Sequence, residues 1–202
     1  MTELVLASAS RARQAMLDAA GVRFSVDVPA IDEAATRESL KGERASPRAV
    51  AETLAELKAR RVGRRHPAAL VLGCDQVLAL GADPDATILD KPADRAEAAA
   101  QLRALAGRSH RLISAAVVVR DGQLLWHHAD MAELAMRPLS DEFIAGYLAA
   151  AGDDILQSVG GYRLEGLGAQ LFSSVRGDFF TVLGLPLLPL LGFLREQGAV
   201  PT

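Results

Sequence analysis

The first segment of the chain, residues 4–20, places the strongest constraint on what the rest can fold into. Leu4 to Ala7 is a short apolar run that predicts a buried strand, and the residue spacing from Arg13 onward predicts a helix. A small polar turn, Ser8 to Ser10, joins the two. A strand that turns directly into a helix leaves backbone N–H groups unpaired at the positive end of the helix dipole. This turn is therefore typical of an anion site, most suitably for phosphates.

Two arginines add fixed positive charge to the same turn. Arg11 and Arg13 carry forked donors that suit phosphate oxygens. The alternative is an ordinary turn in which Ser10 only caps the helix and both arginines are solvated. The segment alone does not decide between these interpretations.

Composition limits the class of protein. The chain has 202 residues, of which 50% are hydrophobic and 4% aromatic, so one large domain or two closely packed lobes can form around an aliphatic core. Its formal net charge is −3, which does not favour a duplex nucleic-acid binder. The one basic run, residues 60–66, precedes Pro67 and is interpreted as the solvated end of a helix.

Localisation is predicted from what the sequence lacks. Cys74 is the single cysteine, which allows no intramolecular disulfide and suits a reducing cytoplasm. The N-terminus shows no signal-peptide pattern, and the longest apolar stretch, Phe179 to Leu194, is too short and interrupted to span a bilayer. We therefore expect a soluble cytoplasmic protein with no membrane partner.

The order of apolar patterns predicts an α/β fold with a mixed sheet, because helices and strands alternate at first and a hairpin with more strands follows. The expected strands are residues 4–7, 22–28, 69–72, with 77–80 extended, 111–120, 123–128 and 132–136. The expected helices begin near residues 13, 47, 93, 141 and 186, and loops or turns are expected at 29–33, 81–85 and, with a short strand, 159–169.

Candidate catalytic carboxylates lie at element ends and in loops. Asp75 directly follows an apolar strand, where a carboxylate is costly unless a cation, a metal or hydrogen bonds compensate it; a turn cap is the alternative role. Asp32 and Glu33 lie in an expected loop and supply a second carboxylate. Glu165 and Asp178 lie near glycines and suit ligation of a hard metal by oxygen.

Candidate cations complement these carboxylates. Lys58 and Lys91 can each neutralise phosphate charge, although lysines are most often solvated. Lys91 precedes Pro92, which holds its backbone extended.

Several other chemistries lack their motifs. The chain has neither a Gly-Lys-Ser/Thr phosphate loop nor a G-x-S-x-G elbow. His127 and His128 are neighbours on an expected strand and so point to opposite faces, which does not suit zinc. Cys74 is interpreted as a small buried residue rather than a nucleophile.

Taken together, these segments resemble the Maf family of nucleoside triphosphate pyrophosphatases from residue 4 to about residue 197. The segments that carry the resemblance are Leu-Ala-Ser-Ala-Ser-Arg-Ala-Arg at 6–13, Asp32-Glu33, Ala-Glu-Leu-Lys-Ala at 55–59, Gly-Cys-Asp-Gln at 73–76, Asp-Lys-Pro at 90–92, Leu-Glu-Gly-Leu-Gly-Ala at 164–169 and Leu-Gly-Leu-Pro at 183–186. Each is weak alone, but the set in this order and spacing is specific.

The resemblance implies an elongated mixed β-sheet with flanking helices, similar also to inosine triphosphate pyrophosphatases. It implies one Maf-like domain over residues 1–202, with two closely packed lobes around a central cleft, and a homodimer. The family cleaves a nucleoside triphosphate between the α- and β-phosphates, using a divalent cation such as Mg²⁺ or Mn²⁺. No nucleic-acid partner is expected.

The resemblance also assigns roles to individual residues. Asp75 matches the family's catalytic base, with Lys58 and Lys91 beside it as catalytic cations, and Glu33 and Asp75 match its metal-handling positions. The substrate-binding positions are Ser8, Ser10, Ala12, Arg13, Gln76 and Glu165.

Two departures from the family pattern bear on the nucleobase. The usual turn is Ser-x-Ser-Pro-Arg-Arg, and Arg11 and Ala12 stand here in place of Pro and the first Arg. Gln76 and Glu165 resemble the branch that prefers 7-methyl-GTP, whereas the dTTP/UTP branch has Thr and Gln there. A carboxylate accepts hydrogen bonds from the guanine N1–H and 2-amino group, and it favours a positively charged methylated base.

Alternative functions stay open at this point. The chain could be a dTTP/UTP or inosine triphosphate pyrophosphatase. It could also be a non-catalytic nucleotide sensor in cell division, since the family is also named for inhibition of septum formation. A nucleic-acid binder that uses residues 60–65 is the least favoured.

Overall fold

Strands and helices alternate at the start of the chain and a β-hairpin follows later, as the apolar patterns predict. The computed structural model describes residues 2–83 and 85–201, so Pro84, inside the expected turn at 81–85, lies outside the described residues. The strands are β1 Leu4–Ala7, β2 Ser25–Val26, β3 Leu70–Leu80, β4 Thr87–Leu89, β5 Ser109–Arg120, β6 Gln123–Met136 and β7 Phe172–Arg176. The helices are α1 Arg11–Ala19, α2 Glu33–Gly42, α3 Pro47–Gly63, α4 Arg95–Leu105, α5 Asp141–Ala151, α6 Phe179–Val182 and α7 Leu187–Glu196. Short 3₁₀ turns occupy Asp153–Gln157, Val159–Gly161 and Leu167–Leu171.

The strands form one mixed sheet, which confirms the predicted α/β class. The order across it is β2-β1-β3-β5-β6-β7, with β4 also paired to β3. β1 is parallel to β2 and β3, whereas β4, β5, β6 and β7 join by antiparallel pairing. Since β3, β5 and β6 are long and central, they form the platform on which the helices pack.

One edge of β3 has a gap between two strand partners. β1 pairs with β3 only as far as Ala7 opposite Gly73, and β4 pairs with it again from Leu78. Residues 74–77 therefore have a strand neighbour only on the β5 side. A break in strand pairing beside a buried strand leaves backbone groups and side chains available to a ligand, as at the switch points of other α/β sheets.

Helix α3 covers one face of the sheet. Its residues pack with alternate residues of β3 and β5 in an aliphatic cluster that includes Leu54, Ala55, Val71, Val77 and Ile113. The approach is closest at Gly73, where an added Cβ would lie 2.1 Å from the Ala55 carbonyl oxygen. Glycine at this position therefore lets α3 lie directly on the strand.

Two further apolar clusters cover the other face, and a polar strip separates them. One cluster joins β1 and β3 to α1 and α7, and the other joins β3, β5 and β6 to α4 and α5. Between them, Gln76, Ser114 and Asp130 stand opposite one another on β3, β5 and β6. Helix α6 lies on this strip, since buried Thr181 contacts both Ser114 and Asp130.

The basic run at residues 60–66 ends α3, as expected, and three of its side chains are paired within the chain, those of Arg60, Arg65 and His66. Arg60 bonds Glu56 and the Gly122 carbonyl oxygen. Arg65 and His66 both bond Asp27, just after β2, and these bonds lower the pKa of Asp27 to about 2. Arg65 and His66 therefore connect the end of α3 to the segment that follows the edge strand β2.

The structure corrects several element boundaries. Residues 70–80 form one continuous strand, so Asp75 lies within β3 rather than at a strand end. The expected strands at 123–128 and 132–136 are one strand, β6. The expected strand at 22–28 shrinks to the two residues of β2, and the segment 159–169 forms 3₁₀ turns without a strand.

Four of the numbered strands and helices were not predicted from the sequence: α2, α6, β4 and β7. Asp32 is the N-cap of α2, and Glu33 is its first residue, so this pair does not lie in a loop. α2 buries none of its residues and so lacks the apolar stripe by which a helix is recognised. α6 has four residues and β7 has five, too few for a periodic signal.

The interpretation of Cys74 as a buried, unreactive residue agrees with the structure. Cys74 is fully buried, and burial raises the pKa of its thiol to about 11, which does not suit a nucleophile. Among residues 2–83 and 85–201, no helix has both the length and the apolar character needed to cross a membrane.

Candidate functional site

A cleft of about 960 Å³ opens at the gap on the edge of β3. Its walls come from the turn after β1, from α2, from α3, and from the segments before α4 and around the 3₁₀ turns at 153–161. Nine of the predicted site residues line it: Ser8, Ser10, Ala12, Arg13, Glu33, Lys58, Asp75, Gln76 and Lys91. Glu165 lines a smaller adjoining pocket that shares Ala12 and Gln76 with the main cleft.

Asp75 and Lys58 form the centre of the cleft. Asp75 points from β3 toward α3, and its Oδ1 accepts a 2.6 Å bond from the Nζ of Lys58. Lys58 also donates to Oε2 of Glu33 at 2.9 Å. Asp75 and Lys58 are both buried, while Glu33 is half-exposed at the start of α2. The ammonium therefore holds two carboxylates side by side at the cleft floor.

Arg37 is a further cation of this cluster that sequence reasoning missed. Its Nη2 donates to Oδ2 of Asp75 at 3.2 Å, and its Nε lies 3.3 Å from Oδ1 of Asp90. Both Asp75 oxygens are therefore engaged by cations. The available signal was the spacing of Glu33 and Arg37, four residues apart, which places both side chains on one face of a helix.

The turn after β1 has the predicted strand–turn–helix geometry. Ser10 is the N-cap of α1, and its Oγ accepts from the backbone N–H of Arg13. Ser8 is buried, and its Oγ accepts from the backbone N–H of Ser10 and from Nη1 of Arg13. Arg11 is exposed at the first helical position.

Arg13 is buried and satisfies the open edge of β3. Its Nη1 donates to the carbonyl oxygen of Cys74, inside the gap in strand pairing, and its Nε donates to the carbonyl oxygen of Gly184. Among the residues that the structure describes, its Nη2 has no hydrogen-bond partner, so one side of the guanidinium stays available to an anion. Arg13 thus combines a structural contact to the loop before α7 with a charge at the cleft wall.

Lys91 lines the opposite wall and makes no hydrogen bond to the described part of the chain. Partial desolvation is the main cause that lowers the pKa of its ammonium, and the positive charges of Arg13 and Lys58 add to the effect. Its charge is therefore directed at the same space as theirs without a carboxylate partner.

Gln76 faces the other side of the sheet from Asp75, because successive strand residues alternate. Its Nε2 lies 3.0 Å from Oγ of Ser114 and close to the carbonyl oxygens of Thr181 and Val182, at 3.1 and 2.9 Å. Ser114 itself donates to the Thr181 carbonyl oxygen at 2.8 Å. These contacts orient the side-chain amide of Gln76, so that its oxygen faces the cleft as a hydrogen-bond acceptor.

Glu165 and Asp178 occupy separate places. Glu165 accepts from Nε of Arg163 at 2.9 Å at the small pocket beside Gln76. Asp178 is the N-cap of α6 and accepts from the backbone N–H of Thr181. The structure therefore gives the two carboxylates different partners, and the expectation that they act together at a metal has no support in these contacts.

Glu33 and Asp75 are the carboxylates that could face a divalent cation. Their oxygen donors are those that Mg²⁺ and Mn²⁺ prefer. Within residues 2–83 and 85–201, no group of three or more metal-binding side chains is assembled. The donor set thus fits a cation that completes its shell with phosphate oxygens and water, as Mg²⁺ does at nucleotide sites.

Comparison with known proteins agrees with this geometry. Residues 3–197 match the family model described as Maf-like protein. This chain belongs to the Maf family. A "Nucleoside triphosphate pyrophosphatase" from Paramagnetospirillum magneticum is 57% identical over 194 residues, which cover 96% of this chain and 98% of the relative. A "7-methyl-GTP pyrophosphatase" from Rhizobium meliloti is 50% identical over 197 residues, which cover 98% of this chain and 97% of the relative.

A third relative, a "7-methyl-GTP pyrophosphatase" from Rhizobium etli, is 49% identical over 198 residues and covers 98% of both chains. Membership of the Maf family thus extends over nearly the whole chain. In this Maf chain, the segments that carried the resemblance converge on the cleft and its adjoining pocket, although they are up to 171 residues apart, as the contact of Arg13 with Gly184 shows.

Proposed function

We propose that this Maf chain is a nucleoside triphosphate pyrophosphatase that releases a nucleoside monophosphate and pyrophosphate. The observation that carries the proposal is the ion cluster of Glu33, Lys58 and Asp75 at the gap in the sheet, facing a helix N-terminus across one cleft. The relatives named nucleoside triphosphate pyrophosphatase support it over nearly the full length.

The phosphate chain is assigned to the Asp75 face of the sheet. Lys58, Lys91 and Arg13 supply positive charge there, and Ser8 and Ser10 lie at the N-terminus of α1, where the dipole favours anions. Such preorganised donors stabilise the charge that builds on phosphate oxygens during in-line displacement.

The nucleobase is assigned to the Gln76 face, in the small pocket shared with Ala12 and Glu165. The acceptor oxygen of Gln76 and the carboxylate of Glu165 suit a base edge with two donors, such as the N1–H and 2-amino group of guanine. Ala12 leaves room where a larger side chain would narrow the entrance. A 7-methyl-GTP-like substrate is therefore favoured, which agrees with the names of two relatives.

The reaction on these residues is a hydrolysis. Water attacks the α-phosphorus, a new phosphorus–oxygen bond forms, and the bond from the α-phosphorus to the bridging oxygen breaks as pyrophosphate leaves. Asp75 accepts the proton of the water as general base, and Lys58 and Lys91 stabilise the phosphate charge. A divalent cation held by Glu33, Asp75 and the phosphates would withdraw charge from the reacting phosphate.

The remaining expectations complete the proposal. We infer that residues 1–202 act as one domain whose two lobes meet at the strip of Gln76, Ser114 and Asp130, with the cleft between them. We further propose a homodimer that works in the cytoplasm on a nucleotide, with Mg²⁺ or Mn²⁺ as cofactor.

The test is pyrophosphate release by the purified protein with Mg²⁺ or Mn²⁺. The panel holds dTTP, UTP, CTP, GTP, 7-methyl-GTP and ITP. We expect 7-methyl-GTP to turn over fastest and Asp75→Asn to lose at least about 100-fold in kcat, the usual contribution of a general base. Asp141→Asn, an exposed helix-start carboxylate outside the cleft, is the matched control and should retain full activity.

Orthophosphate as the first product would overturn cleavage between the α- and β-phosphates. Preference for ITP would move the assignment to an inosine triphosphate pyrophosphatase, and preference for dTTP or UTP to the pyrimidine branch. Absence of turnover with every nucleotide would favour a regulatory nucleotide-binding role.

A further inference from the structure

Arg37 occupies a position that the proposed reaction does not yet use. Its guanidinium spans Asp75 and Asp90 at 3.2 and 3.3 Å and is one-fifth exposed at the cleft wall. Nη2 donates to Asp75 and Nε lies within ion-pair distance of Asp90, and the planar fork can present the remaining donors to phosphate oxygens. Arg37 is therefore a charged donor in contact with both the proposed base and the ligand space.

The ion pair with Asp75 has a consequence for the base. Oδ1 of Asp75 is bonded to Lys58, and Oδ2 is bonded to Arg37, so neither oxygen lies free. Each carboxylate oxygen has two lone pairs, and release of one cation frees a further lone pair of Asp75 to accept the proton from water. Lys58 is buried and fixed between two carboxylates, whereas Arg37 is more exposed and reaches in from outside. Arg37 is thus the partner that can leave.

The helix that carries Arg37 is held mainly by charge. No residue of α2 is buried, and Leu40 is its partly buried contact with the α3 cluster. Its other ties are the Glu33 bond to Lys58 and the bonds of Arg37 itself. The Arg37–Asp90 contact has an exposed carboxylate and is weak, so the guanidinium is held mainly by Asp75, and a ligand with more negative charge than Asp75 can draw it away.

The charge balance of the cleft favours such a change. Arg13, Arg37, Lys58 and Lys91 oppose Glu33, Asp75 and Asp90, which leaves one net positive charge among these residues. A triphosphate brings several negative charges, more than the single charge of Asp75. A guanidinium binds phosphate oxygens at least as well as it binds carboxylate oxygens, often through two parallel hydrogen bonds.

We propose that Arg37 is a phosphate-binding residue that moves from Asp75 to the triphosphate when the nucleotide binds, and so exposes the base only in the substrate complex. The inference rests on the proposed function for the identity of the anion as a triphosphate. It adds a contact from α2 and couples binding of the phosphate chain to activation of Asp75.

The test separates binding from turnover. Arg37→Gln removes the charge but keeps the length, Arg37→Lys keeps a charge without the fork, and Arg48→Gln on the exposed face of α3 is the control. Binding of inorganic tripolyphosphate and of the α,β-methylene analogue of GTP is measured by calorimetry in EDTA at two salt concentrations. Thermal unfolding of each variant shows that it is folded.

We expect Arg37→Gln to weaken tripolyphosphate binding roughly tenfold, the effect of one charge-assisted hydrogen bond, and to reduce its salt dependence. Arg37→Lys should recover part of the affinity, and Arg48→Gln should bind as the unaltered protein does. In turnover, KM should rise for Arg37→Gln.

Two results would overturn the proposal: unchanged tripolyphosphate affinity in Arg37→Gln, or no binding of tripolyphosphate by the unaltered protein. A fall in kcat with unchanged KM would do the same, because it would limit Arg37 to positioning Asp75. Failure of the proposed function is distinct from these results. It would appear as no turnover of any nucleotide, while the binding experiment would still report on Arg37.

Discussion

Lys58 Nζ lies 2.6 Å from Oδ1 of Asp75 and 2.9 Å from Oε2 of Glu33, so one ammonium joins a strand residue of the central sheet to the first residue of α2. Asp75 and Lys58 are both buried, where a charged side chain is costly unless it is paired. The contact therefore serves the fold and the proposed chemistry together.

Replacing Lys58 should lower both the stability of the fold and the rate of the proposed reaction. Lys58→Met leaves Asp75 buried with Arg37 as its remaining cation, and breaking a buried pair by removing one partner costs about 3 kcal/mol. We expect the urea midpoint to fall accordingly and pyrophosphate release to fall at least about 100-fold, as when one preorganised donor is lost. Lys41→Met, an exposed lysine of α2, is the control. An unchanged urea midpoint in Lys58→Met would contradict a stabilising role for the contact.

Much of the site could be predicted from local sequence. The strand–turn–helix at Ser8–Arg13 follows from an apolar run, a capping serine and helical spacing, and these signals lie within ten residues. Asp75 stands out as a charge directly after an apolar run, and Lys58 is a candidate cation that matches the family resemblance. What could not be predicted is the reason that Asp75 is reachable. It lies within β3, opposite a gap between β1 and β4, and strand pairing across a sheet leaves no mark in local periodicity.

The other site features that the sequence does not predict depend on contacts between distant parts of the chain. Arg13 bonds Gly184 across 171 residues, and Gln76 is oriented by Thr181 across 105 residues. Arg37 escaped notice because α2 is held by ion pairs and buries no apolar face, and apolar periodicity is the main sequence signal for a helix.

Deprotonation of Lys91 should raise the KM of the enzyme at alkaline pH. The pKa of Lys91 is lowered by partial desolvation and by the charges of Arg13 and Lys58, so its ammonium loses its proton at a lower pH than an ordinary lysine. Phosphate binding should weaken as pH rises through that pKa, since only the charged form attracts phosphate. We expect KM to rise as the pH increases through the pKa of Lys91. The measurement is KM at a series of pH values from about 7 to about 10, at constant ionic strength.

Lys91→Arg tests the origin of this rise in KM. A guanidinium stays protonated throughout that range, so the alkaline rise in KM should disappear or move to higher pH. If the rise persists unchanged in Lys91→Arg, another group causes it.

His110 should make the fold sensitive to acid. It is buried on β5 with its Nε2 bonded to the Tyr162 hydroxyl at 2.7 Å, and burial lowers the pKa of the imidazole to about 4. The unfolded chain therefore binds the proton more readily, and stability falls as pH drops from the ordinary value of about 6.5 toward 4. Between about pH 8 and pH 5, this one group should cost about 2 kcal/mol of unfolding free energy.

The measurement is urea unfolding at the two pH values. His110→Gln retains a hydrogen-bonding side chain but does not titrate, so its loss of stability on acidification should be smaller by about 2 kcal/mol than that of the unaltered protein. Tyr162→Phe removes the hydroxyl partner and keeps His110, so it should retain the acid sensitivity. Equal acid sensitivity in His110→Gln would assign the effect to other groups.

Gly73 should control the distance between α3 and β3, and with it the Lys58–Asp75 contact. A Cβ at this position would lie 2.1 Å from the Ala55 carbonyl oxygen and 2.6 Å from the Ala59 backbone nitrogen, so α3 would have to move outward. We expect Gly73→Ala to cost about 1–3 kcal/mol of unfolding free energy, as overpacking does, and to lower kcat because Lys58 moves with its helix. Gly192→Ala in α7 is the matched control, since nothing lies within 4 Å of its added Cβ. Urea unfolding and pyrophosphate release measure the two effects, and a fully active, equally stable Gly73→Ala protein would show that α3 does not set the geometry of Lys58.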